Sequence, residues 1–290
     1  MRLKDIQNKF HDTLDAHYGR EEVNHFFWLL CGKYFNIKRI KLALEPEMTV
    51  SEEQANTLFL DLESLNQHVP IQYILKTTEF FGMEFNVNSS VLIPRPETEE
   101  LVSWIIDSQR ENNKASLRIL DIGTGSGCIA IALAKHFKEA EVFGVDVSKE
   151  AIKVAEQNAE LNNVEVHFIH ADILTVDPTI IEDFTLPFDI IVSNPPYVRV
   201  QEKALMRANV LEYEPHLALF VEDQEPLIFY NAITQLAERN LVVNGMLFFE
   251  INEFLGEEMV ALLIAHNFKD VELKRDMFKK HRMIKGINKI

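Results

Sequence analysis

The sequence predicts an α/β protein in which a doubly wound parallel sheet follows a smaller helical region. From residue 117 onward, short apolar runs alternate with amphipathic helical patterns, which is typical of a sheet covered by helices on both faces. Before residue 76, apolar residues recur mainly at helical spacing. With 290 residues and 47% hydrophobic side chains, the chain can build a core in each part.

Residues 1–75 are predicted to form a small all-helical domain. Two runs have apolar residues at helical spacing, namely Leu3, Ile6, Phe10 and Leu14, followed by Val23, Phe26, Phe27 and Leu30. Ser51, with Gln54 three residues later, forms the pattern of a capping box ahead of a further helix. This stretch has no glycine-rich loop and no acid–base pair, so we expect a helical domain without the chemistry, and its size beside a second domain predicts that it recognises a substrate.

Residues 76–92 are predicted to be a β-hairpin linker, since residues 83–87 alternate between apolar and polar side chains after the turn candidate Gly82. A loop stiffened by two prolines follows, and the second of them, Pro96, suits the first turn of a helix. Arg95 lies between these prolines. It is either part of a charged helix start or a substrate contact, and the residues alone leave both open.

Residues 93–290 are predicted to form the α/β domain. The apolar runs expected to be buried parallel strands are residues 118–122, 142–146, 166–170, 189–193 and 246–251. The helical patterns between them include residues 129–136, residues 148–162 with Ser148 as N-cap, and residues 226–241.

The composition excludes several classes of function. Lys+Arg 29 against Asp+Glu 45 gives a net charge of −16, which disfavours direct nucleic-acid binding because that mode depends on cationic side chains. The two cysteines, Cys31 and Cys128, have no metal-ligand spacing, so we expect no metal site. No run reaches the ~18 apolar residues of a membrane span, and no signal peptide is evident, so we expect a cytoplasmic protein.

The glycines point to a ligand site. Three of the 10 glycines, Gly123, Gly125 and Gly127, lie in the loop after the first strand, where a doubly wound sheet binds ligands. Cys128 stands where the dinucleotide fingerprint requires glycine, so a site for NAD is incomplete. A G-x-G-x-G loop with an acid at the end of each of the first two strands is more typical of S-adenosylmethionine. The alternative is a tight turn that serves only helix packing.

Acidic residues at strand ends complete the predicted cofactor site. Asp146 ends the second strand, where a carboxylate can bind ribose hydroxyls. Asp172 ends the third strand and can reach an adenine amine, although a solvated strand end is an equal alternative. The predicted contacts of S-adenosylmethionine are therefore Gly123, Thr124, Gly125, Ser126, Gly127, Asp146, Asp172 and Ile173.

The fourth strand runs into Asn194-Pro195-Pro196-Tyr197. Two consecutive prolines cannot continue a central strand, so the chain must turn where substrate would meet cofactor. The Asn194 side-chain oxygen and the Pro195 carbonyl provide two acceptors, and Tyr197 provides a flat ring. This set fits a planar NH2 group, with one acceptor for each hydrogen.

Together, the glycine loop and residues 194–197 resemble the class I methyltransferases that act on a planar nitrogen. Residues 92–99, Leu-Ile-Pro-Arg-Pro-Glu-Thr-Glu, are similar more specifically to the peptide chain release factor glutamine methyltransferases. The resemblance covers nearly the whole chain. It implies a Rossmann-like methyltransferase fold, S-adenosyl-L-methionine as cofactor, and the Gly-Gly-Gln glutamine of class I release factors as acceptor.

The resemblance also assigns residues. It implies catalytic and substrate-binding roles for Asn194, Pro195, Pro196 and Tyr197, a substrate contact for Arg95, and a cofactor contact for Asn194. A monomer is expected. Two alternatives remain at this point: a DNA or RNA methyltransferase of adenine N6 or guanine N2, which would share the tetrapeptide, and a regulator that binds only the cofactor.

Three positions depart from the family pattern, each at a family glycine. Lys76 follows the Pro-Ile-Gln-Tyr-Ile-Leu run, Val221 follows Phe220, and Lys279 lies three residues after Asp276 in the segment that ends at Arg282. All three fall outside the two central motifs, so they bear on loop geometry and docking rather than on the chemistry.

Overall fold

A computed structural model describes residues 1–45, 47–110, 116–175 and 186–289. The chain divides into two compact units: Met1–Lys76 with Arg207–Tyr213, and Thr77–Met206 with Glu214–Ile290. The hairpin therefore belongs to the second unit. The short segment Arg207–Tyr213 belongs to the first, although the sequence gives no local sign of this.

The described helices and strands follow in chain order. The helices are α1 (Leu3–Tyr18), α2 (Arg20–Phe35), α3 (Arg39–Leu44), α4 (Glu52–Asn66), α5 (Ile71–Leu75), α6 (Pro96–Ser108), α7 (Cys128–His136), α8 (Lys149–Asn162), α9 (Ala208–Tyr213), α10 (Ile228–Asn240) and α11 (Gly256–Ala265). The strands are β1 (Thr77–Phe80), β2 (Met83–Asn86), β3 (Arg118–Ile122), β4 (Glu141–Asp146), β5 (His167–His170), β6 (Phe188–Ser193), β7 (Val198–Arg199), β8 (Phe220–Val221), β9 (Leu241–Glu250), β10 (Lys269–Arg275) and β11 (His281–Ile287).

The first unit is helical, as the spacing of its apolar residues predicts. Its core combines buried side chains of α1, α2, α4 and α5. The predicted capping box is formed at the start of α4: Gln54 N donates to Ser51 Oγ at 3.1 Å, and Ser51 N donates to Gln54 Oε1 at 3.0 Å. The two backbone donors that helix formation leaves free are thereby satisfied.

The second unit contains a seven-stranded sheet of order β10-β11-β9-β6-β3-β4-β5. The pairs β3/β4, β3/β6, β4/β5 and β6/β9 are parallel, and β11 is antiparallel to both β9 and β10. The predicted doubly wound α/β fold is confirmed. Chain order reverses between β3 and β6, and such a reversal leaves a crevice at the carboxyl ends of the strands.

Helices cover both faces of the sheet because neighbouring residues of each strand point to opposite sides. In β6, Ile190 packs with α6, α7 and α8, whereas Ile191 packs with α10 and α11. The helix starts follow the predicted chemistry: Pro96 occupies the first turn of α6, and Ser148 Oγ accepts from Ala151 N at the start of α8. Both helices are thus fixed at the ends that face the crevice.

Two features of the sheet differ from the sequence prediction. Strand β9 begins at Leu241 rather than at residue 246, because Asn244, with a φ of +68°, and Gly245 interrupt the apolar pattern inside the strand. Strands β10 and β11 were not predicted. Strand β10, at the edge of the sheet, combines exposed charged with half-buried side chains. Strand β11, between β10 and β9, has a single pair of buried apolar residues, Met283 and Ile284, so neither strand has the long apolar run of a central strand.

The hairpin β1–β2 supports the glycine loop. Asn158 on α8 is buried, and its Nδ2 donates to Asn86 O at 3.0 Å and to Ser126 O at 2.9 Å. In return, Asn86 N donates to Asn158 Oδ1 at 2.6 Å. One buried amide therefore holds the second strand of the hairpin and the glycine loop on the same helix.

Two of the three departures from the family pattern keep a glycine-like backbone. Lys76 has a φ of +59° and Lys279 a φ of +65°, both in the left-handed region that side chains disfavour. Val221 differs, because it is a buried residue of β8 without a positive φ. The loops at Lys76 and Lys279 thus adopt the conformation expected for glycine, at some cost in stability.

We expect Lys279→Gly to raise the free energy of unfolding by about 0.5–1 kcal/mol. Relief of the left-handed strain is worth about 1–2 kcal/mol, and the greater backbone entropy of glycine in the unfolded chain offsets about half of it. Denaturant titration measures the change. The control Lys138→Gly, in a turn without positive φ, should lower stability. A lower stability of Lys279→Gly would contradict the expectation.

Candidate active site

A cleft of about 280 Å³ lies at the carboxyl ends of β3, β4 and β6, where the chain order reverses. Its walls come from the loops after these strands, from the segment before α6, and from residues 215–218. Of the residues predicted to contact a cofactor or substrate, those that line it are Arg95, Gly123, Thr124, Gly125, Ser126, Asp146, Asp172, Ile173, Asn194, Pro195 and Pro196.

The glycine loop turns its main chain toward the cleft at two positions. Gly123 has a φ of +74° and Gly125 a φ of +56°. A Cβ added to either residue would meet no heavy atom closer than 4.0 Å, so these two glycines leave open space in front of the backbone. The N–H groups of Gly123 and Thr124 both donate to Val145 O, at 2.8 and 2.9 Å. These bonds hold the loop against β4.

Gly127, the third glycine of the loop, has a different task. It is not among the residues that line the cleft, and its φ is +80°. A Cβ there would lie 2.9 Å from Ile131 Cδ1 and 3.1 Å from Ala155 Cβ. Gly127 therefore lets the loop pack closely on α7 and α8, and its predicted cofactor contact remains untested.

The acids at the ends of β3 and β4 differ in position. Asp121 is buried behind the loop, where Oδ2 accepts from the Thr124 hydroxyl at 2.7 Å and from Ala130 N at 3.3 Å. Its Oδ1 has no hydrogen-bond partner in the described part of the chain, and burial raises the pKa of this carboxyl to about 7. Asp121 thus organises the loop from behind and does not line the cleft.

Asp146 faces the cleft and is already held in place. Its Oδ2 accepts from Gly125 N at 2.8 Å, and its Oδ1 accepts from Ser148 N at 2.9 Å. Burial raises the pKa of this carboxyl, while the backbone donors oppose the shift. Each oxygen retains a second lone pair for a ligand hydroxyl. Asp172 and Ile173 line the same cleft after β5, and Asp172 Oδ1 accepts from Leu174 N at 3.0 Å.

The loop after β6 supplies the acceptors that the sequence predicts. Ser193 Oγ donates to Ile122 O at 2.6 Å, which ties the end of β6 to β3. The Asn194 Nδ2 group donates to Thr98 Oγ1 at 3.4 Å. Among the residues that the structure describes, none donates a hydrogen bond to Asn194 Oδ1 or to the Pro195 carbonyl oxygen. Both oxygens are therefore available to a ligand in the cleft.

A buried carboxylate that sequence analysis did not single out lies behind this loop. Glu250, at the end of β9, is 2% exposed; Thr98 Oγ1 donates to its Oε2 at 2.7 Å and the Tyr197 hydroxyl donates to its Oε1 at 3.0 Å. Burial raises the pKa of the Glu250 carboxyl, and the two hydrogen bonds limit the shift. The available signal was an acid at the end of an apolar strand, as at Asp121 and Asp146.

Tyr197 is held by its hydroxyl and is not among the residues that line the cleft, so its predicted contact with substrate stays a prediction. Besides Glu250, Arg282 Nη1 approaches the Tyr197 oxygen at 3.4 Å, and Arg282 Nε donates to Asp276 Oδ2 at 3.1 Å. Burial and the neighbouring Glu250 carboxylate raise the pKa of Tyr197. The altered segment between Asp276 and Arg282 therefore still supports this tyrosine, although Lys279 replaces the family glycine.

Arg95 forms an ion pair in the cleft wall. Its Nη2 donates to Glu214 Oε1 at 2.5 Å, and Ile93 N donates to Glu214 Oε2 at 3.1 Å. The Glu214 side chain is 1% exposed, so this pair fastens the loop before α6 to the segment that precedes residues 215–218. The arrangement gives Arg95 a structural partner, and its predicted contact with substrate remains a prediction.

The described ranges contain no group of His, Cys, Asp and Glu side chains that could hold a metal ion. Over the same ranges, no helix is long and apolar enough to cross a membrane. The polar groups that line this cleft include backbone amides, carboxylates, hydroxyls, the Arg95 guanidinium, the Asn194 amide and the Pro195 carbonyl.

Two family models match this chain, one in each of its two parts. A family model described as a methyltransferase domain matches residues 113–285, and one described as the PrmC N-terminal domain matches residues 5–75. The release factor glutamine methyltransferase of Flavobacterium psychrophilum is 50% identical over 98% of this chain and 99% of its own length. That of Bacteroides thetaiotaomicron is 40% identical over 94% of this chain and 95% of its own.

Solved structures share the fold at low sequence identity. A methyltransferase from Pyrococcus furiosus has a TM-score of 0.51 and 18% identity, covering 83% of this chain and all of the other. The 16S rRNA N2 methyltransferase (RsmC) of T. thermophilus, in complex with AdoMet and guanosine, has a TM-score of 0.52 and 21% identity. The match covers 73% of this chain and 50% of that enzyme. These likenesses show the methyltransferase fold.

We expect Gly127→Ala to destabilise the protein more than Gly125→Ala. The positive φ costs about 1–2 kcal/mol at either position. At Gly127 alone, contacts with Ile131 and Ala155 add an overpacking cost of about 1–3 kcal/mol. Denaturant titration of both variants measures the difference. Equal losses of stability would contradict the assignment of Gly127 to packing and of Gly125 to the open side of the loop.

Proposed function

Because the chain belongs to the family of release factor glutamine methyltransferases, we propose that it transfers a methyl group from S-adenosylmethionine to the side-chain amide nitrogen of the glutamine in the Gly-Gly-Gln motif of a class I release factor. The observation that carries the proposal is the pair of free acceptors in the cleft, Asn194 Oδ1 and Pro195 O, beside the glycine loop. Identity of 50% over nearly the whole of both chains supports the same substrate class.

The residues of the cleft fit the proposed cofactor. Gly123 and Gly125 offer open space next to the main chain, as close approach of a nucleoside requires. Asp146 would accept from the ribose hydroxyls, and Asp172 with Ile173 would border the adenine. The part of the lining that comes from residues 122–129 contains no arginine or lysine, which agrees with a cofactor without phosphate. When bound, S-adenosylmethionine supplies an electrophilic methyl group on a sulfonium.

Asn194 and Pro195 would activate the amide nitrogen of the substrate. An amide nitrogen is a poor nucleophile because its lone pair is delocalised into the carbonyl. By accepting hydrogen bonds from its two N–H groups, Asn194 Oδ1 and Pro195 O would hold the NH2 group and favour a tetrahedral nitrogen. Positive charge develops on this nitrogen during transfer, so both hydrogen bonds strengthen in the transition state, which is the requirement for catalysis.

The remaining site residues position and shield the amide. Pro196 stiffens the loop, and Tyr197, fixed through its hydroxyl, would place its ring against the amide plane and exclude water. Alignment of the two reactants can supply roughly 7–11 kcal/mol of the barrier. No general base is required, because the methylated nitrogen is acidic enough to lose its proton to water.

We propose that residues 1–75 form the domain that recognises the release factor, since a free glutamine is too small to need a domain of that size. The enzyme would act as a monomer in the cytoplasm and without direct binding of nucleic acid, in keeping with its net charge of −16.

We expect Asp146→Ala to weaken binding of S-adenosylmethionine roughly 10- to 100-fold, because the ribose hydroxyls together lose one charged acceptor worth about 1.5–3 kcal/mol. Isothermal titration calorimetry measures the dissociation constant, and NAD should not bind. Asp12→Ala, on the exposed side of α1, removes the same charge and serves as the control. Unchanged affinity of Asp146→Ala would remove this carboxylate from the cofactor site.

The function is tested with separate release factor, DNA and RNA substrates. Wild-type protein should add one methyl to the Gly-Gly-Gln glutamine of the release factor, as read by peptide mass spectrometry. Asn194→Ala should reduce this transfer at least ~100-fold while cofactor affinity stays within a few-fold, because a preorganised polar contact to the reacting group is lost. Asn240→Ala, on α10, is the control. Methyl transfer to adenine or guanine instead would overturn the proposed function.

A further inference from the structure

The orientation of the Asn194 side chain decides whether it can bind the amide of a substrate. An asparagine amide presents an oxygen acceptor at one end and an NH2 donor at the other. Only the oxygen can accept a hydrogen bond from a substrate NH2 group. If the amide were rotated by half a turn about its last bond, two NH2 groups would face each other and neither would be satisfied.

The Thr98 hydroxyl removes this ambiguity. A threonine hydroxyl has a single hydrogen, and here it is directed at Glu250 Oε2 at 2.7 Å. Both oxygens of Glu250 face a hydroxyl group, Oε2 that of Thr98 and Oε1 that of Tyr197, so the carboxyl group accepts in both pairs and Thr98 is a donor. Toward Asn194, 3.4 Å away, the Thr98 oxygen can therefore only accept. The NH2 end of Asn194 is held at Thr98, and Oδ1 is left for the cleft.

Glu250 is held through both side-chain oxygens and its backbone carbonyl, so the Thr98 hydroxyl cannot easily turn from Glu250 to Asn194. The Tyr197 hydroxyl occupies the other carboxylate oxygen at 3.0 Å, and the Tyr230 hydroxyl donates to the Glu250 backbone carbonyl at 3.1 Å. Glu250 and Thr98 are each 2% exposed. Water cannot readily replace either partner at such burial, and the carboxylate would be costly to leave unpaired.

We propose that Thr98 and Glu250 are positioning residues that orient Asn194, so that its Oδ1 rather than its NH2 group receives the glutamine amide. The relay runs from the Glu250 carboxylate through the Thr98 hydroxyl to Asn194 Nδ2. The proposal rests on the proposed function for its substrate. On this proposal the effect of Thr98 on methyl transfer requires the Asn194 side chain, whereas a residue that only packs would act without it.

The first test is Thr98→Val, which keeps the shape of the side chain and removes both hydrogen bonds. We expect kcat for methylation of the release factor to fall about five- to tenfold, while KM and the dissociation constant of S-adenosylmethionine stay within twofold. Thr98→Ser, which keeps the hydroxyl, should restore most of kcat. Unchanged kcat in Thr98→Val would overturn the proposal.

Thr234→Val is the matched control. Thr234, on α10, is also fully buried in the second unit, but its hydroxyl has no hydrogen-bond partner in the part of the chain that the structure describes. Replacing an unpaired buried hydroxyl by a methyl group leaves a fold intact. The control should therefore keep kcat, and an equal loss of kcat in Thr234→Val and Thr98→Val would overturn the relay.

A double-mutant cycle separates positioning from structure. If Thr98 acts through Asn194, the loss of kcat caused by Thr98→Val should disappear when Asn194 is already alanine. If the kcat of the double variant instead falls by the product of the two single losses, Thr98 acts independently of Asn194 and the proposal is overturned.

Nuclear magnetic resonance gives a readout that does not depend on the substrate. In protein labelled with 15N-asparagine, the signal of Asn194 Nδ2 is identified by its loss in Asn194→Ala. Thr98→Val should accelerate exchange of these amide protons with water, and Thr98→Ser should not. An unchanged exchange rate in Thr98→Val would overturn the relay. Failure of wild-type protein to methylate a release factor would instead overturn the proposed function. The exchange rates would then still test whether Thr98 orients Asn194.

Discussion

The buried carboxylate of Glu250 is the interaction on which the substrate end of the cleft depends. A charge at 2% exposure is tolerated only when hydrogen bonds replace the lost water. Thr98 and Tyr197 provide them, and they come from α6 and from the loop after β6. Satisfying one carboxylate therefore brings together elements distant in the sequence. Loss of one hydrogen-bond partner of a buried polar group typically costs about 1–3 kcal/mol and more for a charged group, so the arrangement is strongly specified.

The cofactor end of the cleft depends on close approach of main chain and on two carboxylates that hold the glycine loop. Gly123 and Gly125 open the loop toward the cleft, while Gly127 closes the opposite side against α7 and α8. The loop is held from behind by Asp121 and beside the cleft by Asp146. The two ends of the cleft meet at Asn194, whose placement depends on the end of β6 and on Thr98.

The sequence predicts those parts of the molecule that local patterns determine. Short apolar runs predict the central strands, and the motifs predict the loops that line the cleft. Pairs between distant residues leave no such pattern, as with Arg95 and Glu214, which are 119 positions apart, or Thr98 and Glu250, which are 152 apart. The membership of Arg207–Tyr213 in the first unit is long-range in the same sense. An acid at the end of β9 was visible in the sequence, but its partners were not.

We propose that Asn194 Oδ1 and the Pro195 carbonyl accept hydrogen bonds from the two hydrogens of the glutamine amide. A crystal structure with S-adenosylhomocysteine and a Gly-Gly-Gln peptide tests it most directly. We expect the amide nitrogen of the glutamine about 2.7–3.2 Å from both oxygens, with the NH2 group of Asn194 still directed at Thr98. An amide nitrogen bound elsewhere in the cleft, or an Asn194 that turns its NH2 group toward the peptide, would contradict the account.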